Sequence, residues 1–254
     1  MEQIQLMSHL VAGFPTDELA FEAARAMVAG GAGILEVQLP FSDPSADGPA
    51  IQGACTEVLS RHYRTADGLA FIARLHEAFP QTLIYLMSYG SLVYTPGVAD
   101  FCKRAAGAGV RGMIIPDLPF DHDEGLTAAC RANGMENIPV AAPSMAEGRL
   151  DTLAHAGFAH IYAALRTGIT GSSTTVDEAT VRFLTKVSAG GSGVYGGFGI
   201  QDGNQAAALA SSVEAIVAGS VFVRLIDSHR DDKKALFQAV RDKALELTGR
   251  RQDR

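Results

Sequence analysis

The chain has 254 residues, 47% of them hydrophobic and 19% charged, with a net charge of −7 at neutral pH. A mildly acidic chain without a basic run excludes an electrostatic grip on nucleic acid. Its apolar runs are strand-sized, well short of the roughly 18 residues that a membrane span needs.

Taken in chain order, one unit recurs. An alanine-rich amphipathic stretch ends in Ala-Gly or a near variant, and a short apolar run follows: Ala29-Gly-Gly-Ala-Gly before Ile34, Ala106-Gly-Ala-Gly before Met113, Ala154-His-Ala-Gly before Ile161. Glycine just past a helix takes up the capping conformation without a Cβ penalty. The run after it is too short for a helix and suits a strand buried on both faces. Strands are expected to begin near Gln5, Ile34, Thr82, Gly112, Ile138, His160, Val194 and Ala215. Helices are expected over Leu19–Ala29, Ala66–Ala78, Val98–Ala108, Glu124–Ala132, Glu147–Ala156, Asp177–Val187, Gln205–Ser211 and Lys233–Leu247. Eight βα units in about 250 residues predict a single (β/α)8 TIM barrel over residues 1–254, with its active site at the C-terminal face. Cys55, Cys102 and Cys130 are odd in number and far apart, which suggests neither a disulfide framework nor a zinc site. Free thiols and a start, Met-Glu-Gln-Ile-Gln, unlike a signal peptide point to the cytoplasm.

Function in such a barrel lies in the loops after the strands. Strand two carries Glu36, and alternation places Ile34, Glu36 and Gln38 on one face against Leu35 and Val37 on the other. A buried glutamate is either tied to a neighbouring Lys, Arg or amide, or aimed into the barrel mouth, where desolvation suits it to proton transfer. The loop after it adds Asp43 and Asp47. Late in the chain come three glycine-bearing loops: Arg166-Thr-Gly-Ile-Thr-Gly171, Gly196-Gly-Phe-Gly-Ile200 and Gly219-Ser220. Freed backbone amides with a short helix N-terminus form a phosphate site, and barrels place one after strands seven and eight. Asp117 is either a loop-fixing acceptor or a site residue. Tyr89 and Tyr162 are either core or aromatic walls for a flat substrate, and His9 either faces the pocket or is a satisfied core histidine. The histidines show no metal-ligand spacing.

The segment Glu36-Val-Gln-Leu-Pro-Phe-Ser-Asp-Pro-Ser-Ala-Asp-Gly-Pro-Ala-Ile-Gln52 strongly resembles the signature of the tryptophan synthase alpha subunit family. The likeness runs in order through Ala12-Gly-Phe-Pro15, Met87–Tyr94, Pro116-Asp-Leu-Pro119 and the glycine loops. The resemblance implies a retro-aldol lyase that cleaves indole-3-glycerol phosphate to indole and glyceraldehyde 3-phosphate. It implies Glu36 as general acid/base and Asp47 as the carboxylate on the indole N–H. Substrate binding would fall to Tyr89, Tyr162, Thr170, Gly171, Phe198, Gly199, Gly219 and Ser220, with Thr170 in a loop that closes over the site. The chain would need no cofactor or metal. It would pair with a beta subunit carrying pyridoxal phosphate, two alpha with two beta, through the loop of Asp43 and Pro44. The alternative is a weakly active or non-catalytic alpha-like subunit that mainly activates its beta partner. Two departures bear on the pocket: Gln38 stands where the family usually has glycine, with room to crowd the site or hydrogen-bond Glu36, and His9 replaces an apolar residue near the indole.

Overall fold

The computed structural model describes residues 4–165 and 176–250. The first half runs β1 (Gln5–Val11), α1 (Asp17–Ala29), β2 (Ile34–Gln38), α2 (Pro49–Leu59), α3 (Thr65–Ala78), β3 (Leu83–Met87), α4 (Gly90–Tyr94), α5 (Val98–Gly107), β4 (Gly112–Ile114) and α6 (Leu126–Ala132). The second runs β5 (Glu136–Asn137), β6 (Val140–Ala141), α7 (Glu147–Ala154), β7 (His160–Ala164), α8 (Glu178–Val187), β8 (Gly193–Gly197), α9 (Gly203–Leu209), β9 (Ala215–Ala218), α10 (Ser220–Ser228) and α11 (Lys233–Thr248).

The strands pair in parallel in the order β5-β4-β3-β2-β1-β9-β8-β7-β6. Seven of the expected strands begin within one residue of the expected position. The one expected from Ile138 is split into β5 and β6, because Pro139 has no N–H to give a ladder and restrains the residue before it. Two bonds carry the sheet across the interruption: Ile138 N donates to Met113 O and Tyr162 N donates to Pro139 O, each at 2.9 Å. The ring is thereby closed, and the fold is a (β/α)8 barrel.

The two-residue period sorts the core into two layers. Leu35, Val37, Ile84, Leu86, Ile161 and Ile216 pack outward against the helices, while Met7, Ile34, Tyr85, Ile114, Tyr195 and Val217 fill the barrel. Helix starts follow from local chemistry: Thr16 Oγ1 accepts from Leu19 N, Asp177 from Thr180 N, and Asp202 from Asn204 N and Gln205 N. The glycine punctuation is real, with Gly31 at φ +93 and Gly109 at φ +91.

The helices α2, α4 and α10 are absent from the sequence expectation. Pro49 opens α2 inside a turn-rich loop that masks it, although Ile51, Ala54, Cys55 and Val58 form a buried helical stripe. In α10, Val221, Phe222, Val223 and Ile226 follow the apolar run of β9 so closely that the periodicities merge. Among the described residues no helix is long and apolar enough to cross a membrane.

Candidate active site

The register of two strands builds the centre of the site. Pairing of β1 with β2 puts His9 beside Glu36, and the pleat turns both inward near the C-terminal mouth. Both side chains are about 5% exposed, and His9 Nδ1 lies 3.2 Å from Glu36 Oε2. Glu36 thus has a partner and also borders the cavity, the partner being a histidine rather than Lys, Arg or an amide. Burial alone would lower the His9 pKa. The charge and hydrogen bond of Glu36, then the charge of Asp47, outweigh it and raise the imidazole above 6.5.

Asp47 comes from the loop that folds back over the end of β2. Its main chain is pinned, with Asp47 N donating to Pro44 O at 3.0 Å and Gln52 Nε2 donating to Asp47 O at 2.7 Å. One carboxylate oxygen, Oδ2, accepts from Tyr89 OH at 2.7 Å and from Gln38 Nε2 at 2.8 Å. Burial pushes the Asp47 pKa up, and the His9 charge and these two hydrogen bonds pull against it without cancelling it. Of the two expectations for Gln38, crowding the site or bonding Glu36, neither holds: it does not border the cavity, and the folded-back loop brings Asp47 within reach of its amide, which bonds there instead.

The two tyrosines divide. Tyr89 is buried, stacks on Phe41 with ring centroids 4.9 Å apart, and serves Asp47 through its hydroxyl without bordering the cavity. Tyr162, inside the barrel on β7, borders the cavity and meets Phe198 edge-on at 5.9 Å. Burial first, then the charges of Glu36 and Asp47, push its phenol well above the usual range. The rest of the wall is apolar: Ile51, Met87, Ile114, Val140 and Val217. Sequence reasoning missed these, although the inward phase of the alternation at the strand ends marks Met87, Ile114 and Val217.

After β8 and β9 the backbone takes over. Phe198 has φ +79 and Gly199 φ +85. A bulky residue held at positive φ costs on the order of 1–3 kcal/mol and marks a functional turn. Gly219 and Ser220 open α10, whose N-terminal end borders the cavity and suits an anion. At Gly219 φ is −116, and a Cβ would find its nearest neighbour at 3.5 Å, on His9. Protein packing leaves room for a Cβ there, and the glycine keeps the backbone open to close approach of a ligand.

The remaining candidates fall away from the cavity. Asp117 fixes a loop, its Oδ1 accepting from Gly90 N at 2.9 Å. Asp43 is exposed and takes a bond from Ser42 Oγ at 2.6 Å, while Pro44 is buried beneath it. Thr170 and Gly171 lie outside the described residues. Among the described residues no group of three or more His, Cys, Asp or Glu is placed to hold a metal. The cavity offers an apolar slot for a flat ring between two buried carboxylates, and an amide-lined end for an anion.

Comparison with known proteins gives one answer. The profile of the tryptophan synthase alpha chain family matches residues 2–250. The tryptophan synthase alpha chain of Helicobacter hepaticus is 36% identical over 228 residues, covering 87% of this chain and 85% of its own length. That of Methanosarcina barkeri is 35% identical over 232 residues, covering 91% and 87%. Among solved structures, Mycobacterium tuberculosis tryptophan synthase in an open form matches with a TM-score of 0.84 at 27% identity, over 97% of this chain and 94% of that one. A chain of the Pyrococcus furiosus tryptophan synthase α2β2 complex matches with a TM-score of 0.85 at 25% identity, over 98% and 100%.

Proposed function

The chain belongs to the tryptophan synthase alpha chain family, and from that premise we propose how its pocket divides the work. It is a lyase of tryptophan biosynthesis and cleaves indole-3-glycerol phosphate to indole and glyceraldehyde 3-phosphate. The bond to break joins the ring carbon to the hydroxyl-bearing carbon of the side chain. Protonation of the ring carbon puts positive charge on the indole nitrogen. Loss of the hydroxyl proton then drives formation of the aldehyde as the carbon–carbon bond breaks. Glu36 gives the first proton and takes the second, so it ends as it began. Asp47 accepts the ring N–H and offsets the charge developing there.

One observation supports this reading above the others: two buried carboxylates border one apolar cavity, and each is held by different partners. Asp47 has Oδ2 filled by Tyr89 and Gln38, which leaves Oδ1 for the substrate. Ile114, Val140 and Phe198 would wall the indole and Tyr162 its side chain. The backbone at Gly199, Gly219 and Ser220 would take the phosphate. Thr170 and Gly171 would close over the bound substrate and exclude water.

The partner is a beta subunit, and we propose the assembly of two alpha with two beta chains, seated in the cytoplasm. Pyridoxal phosphate would sit in the partner, and the alpha chain would bring no cofactor. The loop of Asp43 and Pro44 would face that partner through the exposed Asp43, and the Asp47 N–H bond to the buried Pro44 O ties this loop directly to the catalytic carboxylate. No observation favours a purely activating role.

The test is indole release from indole-3-glycerol phosphate by the purified chain, alone and with the beta subunit. Release that rises with the partner supports the reading. No release in either case, with the partner's use of free indole raised, would instead make the chain an activator.

A further inference from the structure

The division of labour above leaves His9 without a task, yet its surroundings are those of a working group. His9 is 4% exposed and borders the cavity. One ring nitrogen, Nδ1, sits on Glu36, and the other, Nε2, is buried with no hydrogen-bond partner in the protein. Buried polar atoms are ordinarily paired, so a lone one beside a ligand cavity points to the ligand. The other side of the ring packs on the turn that opens α10: a Cβ at Gly219 would lie 3.5 Å from His9 Cγ and 3.7 Å from Cδ2. The imidazole therefore stands between the carboxylate that moves protons and the amides that would take the phosphate.

We propose that His9 is a positioning residue that bridges Glu36 and the glycerol phosphate arm of the substrate. Through Nδ1–H it holds the Glu36 carboxylate, and through Nε2–H it binds an oxygen of the arm. The inference rests on the lyase reading. A neutral imidazole has one N–H and cannot donate to both acceptors, so the bridge requires the imidazolium. Its surroundings favour that form. Glu36 faces the ring from β2 and Asp47 from the loop after it, Tyr162 on β7 is uncharged, and the Gly219 turn brings only backbone. Among the described residues that line the cavity, His9 has the only basic side chain. When Glu36 gives its proton to the ring carbon, the imidazolium holds the carboxylate so formed until that carboxylate takes the hydroxyl proton, so His9 keeps both its protons and the pair is unchanged after each turnover.

The experiment measures kcat and KM for indole release, with the beta subunit present, from about pH 6 to about pH 9, for the wild type, His9→Phe and His9→Asn. Thermal midpoints report folding. Asparagine keeps a donor toward Glu36 but has neither a titration nor the second N–H. The wild type is expected to lose activity as pH rises through the raised His9 pKa. His9→Phe should lose about 10- to 100-fold in kcat/KM, with a higher KM and no alkaline limb. His9→Asn should recover part of kcat while KM stays high and the limb stays absent. If His9→Phe does not fold, His9→Asn carries the test alone. An active wild type with variants within twofold of it in both constants, and with the same pH profile, overturns the bridge and leaves the lyase reading standing. A wild type that releases no indole removes the lyase reading and the bridge with it.

Discussion

Among the described residues the barrel contains two histidine–glutamate pairs at opposite ends, and what surrounds each pair separates structure from function. At the N-terminal floor, His160 Nδ1 lies 2.6 Å from Glu136 Oε2 and its Nε2 lies 3.4 Å from Glu214 Oε1. Tyr85 OH donates to the other Glu136 oxygen at 2.7 Å and lies 3.0 Å from Tyr195 OH, while the Tyr195 ring stacks on His160 at 4.6 Å. Every polar atom of the histidine has a partner, and water reaches its edge, with about a fifth of the side chain exposed. At the C-terminal mouth, His9 and Glu36 are sealed from water, and His9 Nε2 has nothing to bond. A network that the protein satisfies itself stiffens the fold, and one left incomplete beside a cavity waits for a ligand. The same pair of residue types thus serves stability at one end and chemistry at the other.

The contrast breaks most sharply on matched substitutions. Glu36→Gln should lower indole release by about 10²- to 10⁴-fold with little change in thermal midpoint. Glu136→Gln should do the reverse, costing about 1–3 kcal/mol of stability by denaturant unfolding while activity at 25 °C stays within twofold. A loss of activity as large in the second as in the first would end the distinction.

A smaller effect is expected one step from the chemistry. Tyr89→Phe leaves Asp47 with the Gln38 bond alone, in a site whose burial already favours the neutral acid. Indole release should fall about tenfold, with the optimum moving to higher pH as more of Asp47 is protonated. An unchanged pH profile would show that Tyr89 only packs.

Stability should also report the floor pair. His160 is raised above 6.5, first by its hydrogen bond to Glu136, with burial opposing and the charges of Glu136 and Glu214 adding. Its contribution is complete below about pH 6.5 and is lost as pH rises through the raised value. The difference in thermal midpoint between the wild type and His160→Gln should therefore shrink from pH 6 toward about pH 9. The smallest effect belongs to the surface. Arg149 and Asp121 form a two-pronged pair at 2.7 Å, but both are more than a third exposed. Arg149→Ala should barely move the thermal midpoint, and less still in high salt.

Much of this molecule is legible in its amino-acid sequence. The alternation in Ile34-Leu-Glu-Val-Gln tells which face Glu36 occupies, and the fold agrees because a two-residue period is intrinsic to an extended chain. The βα rhythm is legible for the same local reason, and it fails where a local signal is masked: at Pro139, which divides a strand, and at α2 and α10, hidden by turn residues or by a neighbouring apolar run. The likeness of the strand-two motif points to the two carboxylates. It does not say what holds them.

By itself the sequence determined the barrel, the inward face of β2 and the loops that carry function, because each depends on residues near one another in the chain. Only the tertiary structure decided that His9 falls beside Glu36, that Gln38 and Tyr89 converge on one oxygen of Asp47, and that Gly219 backs onto the imidazole. Those are matters of register between strands and of how a loop folds back. A slip of one residue between β1 and β2 would turn His9 to the other face, away from Glu36, and nothing local in the chain specifies that pairing.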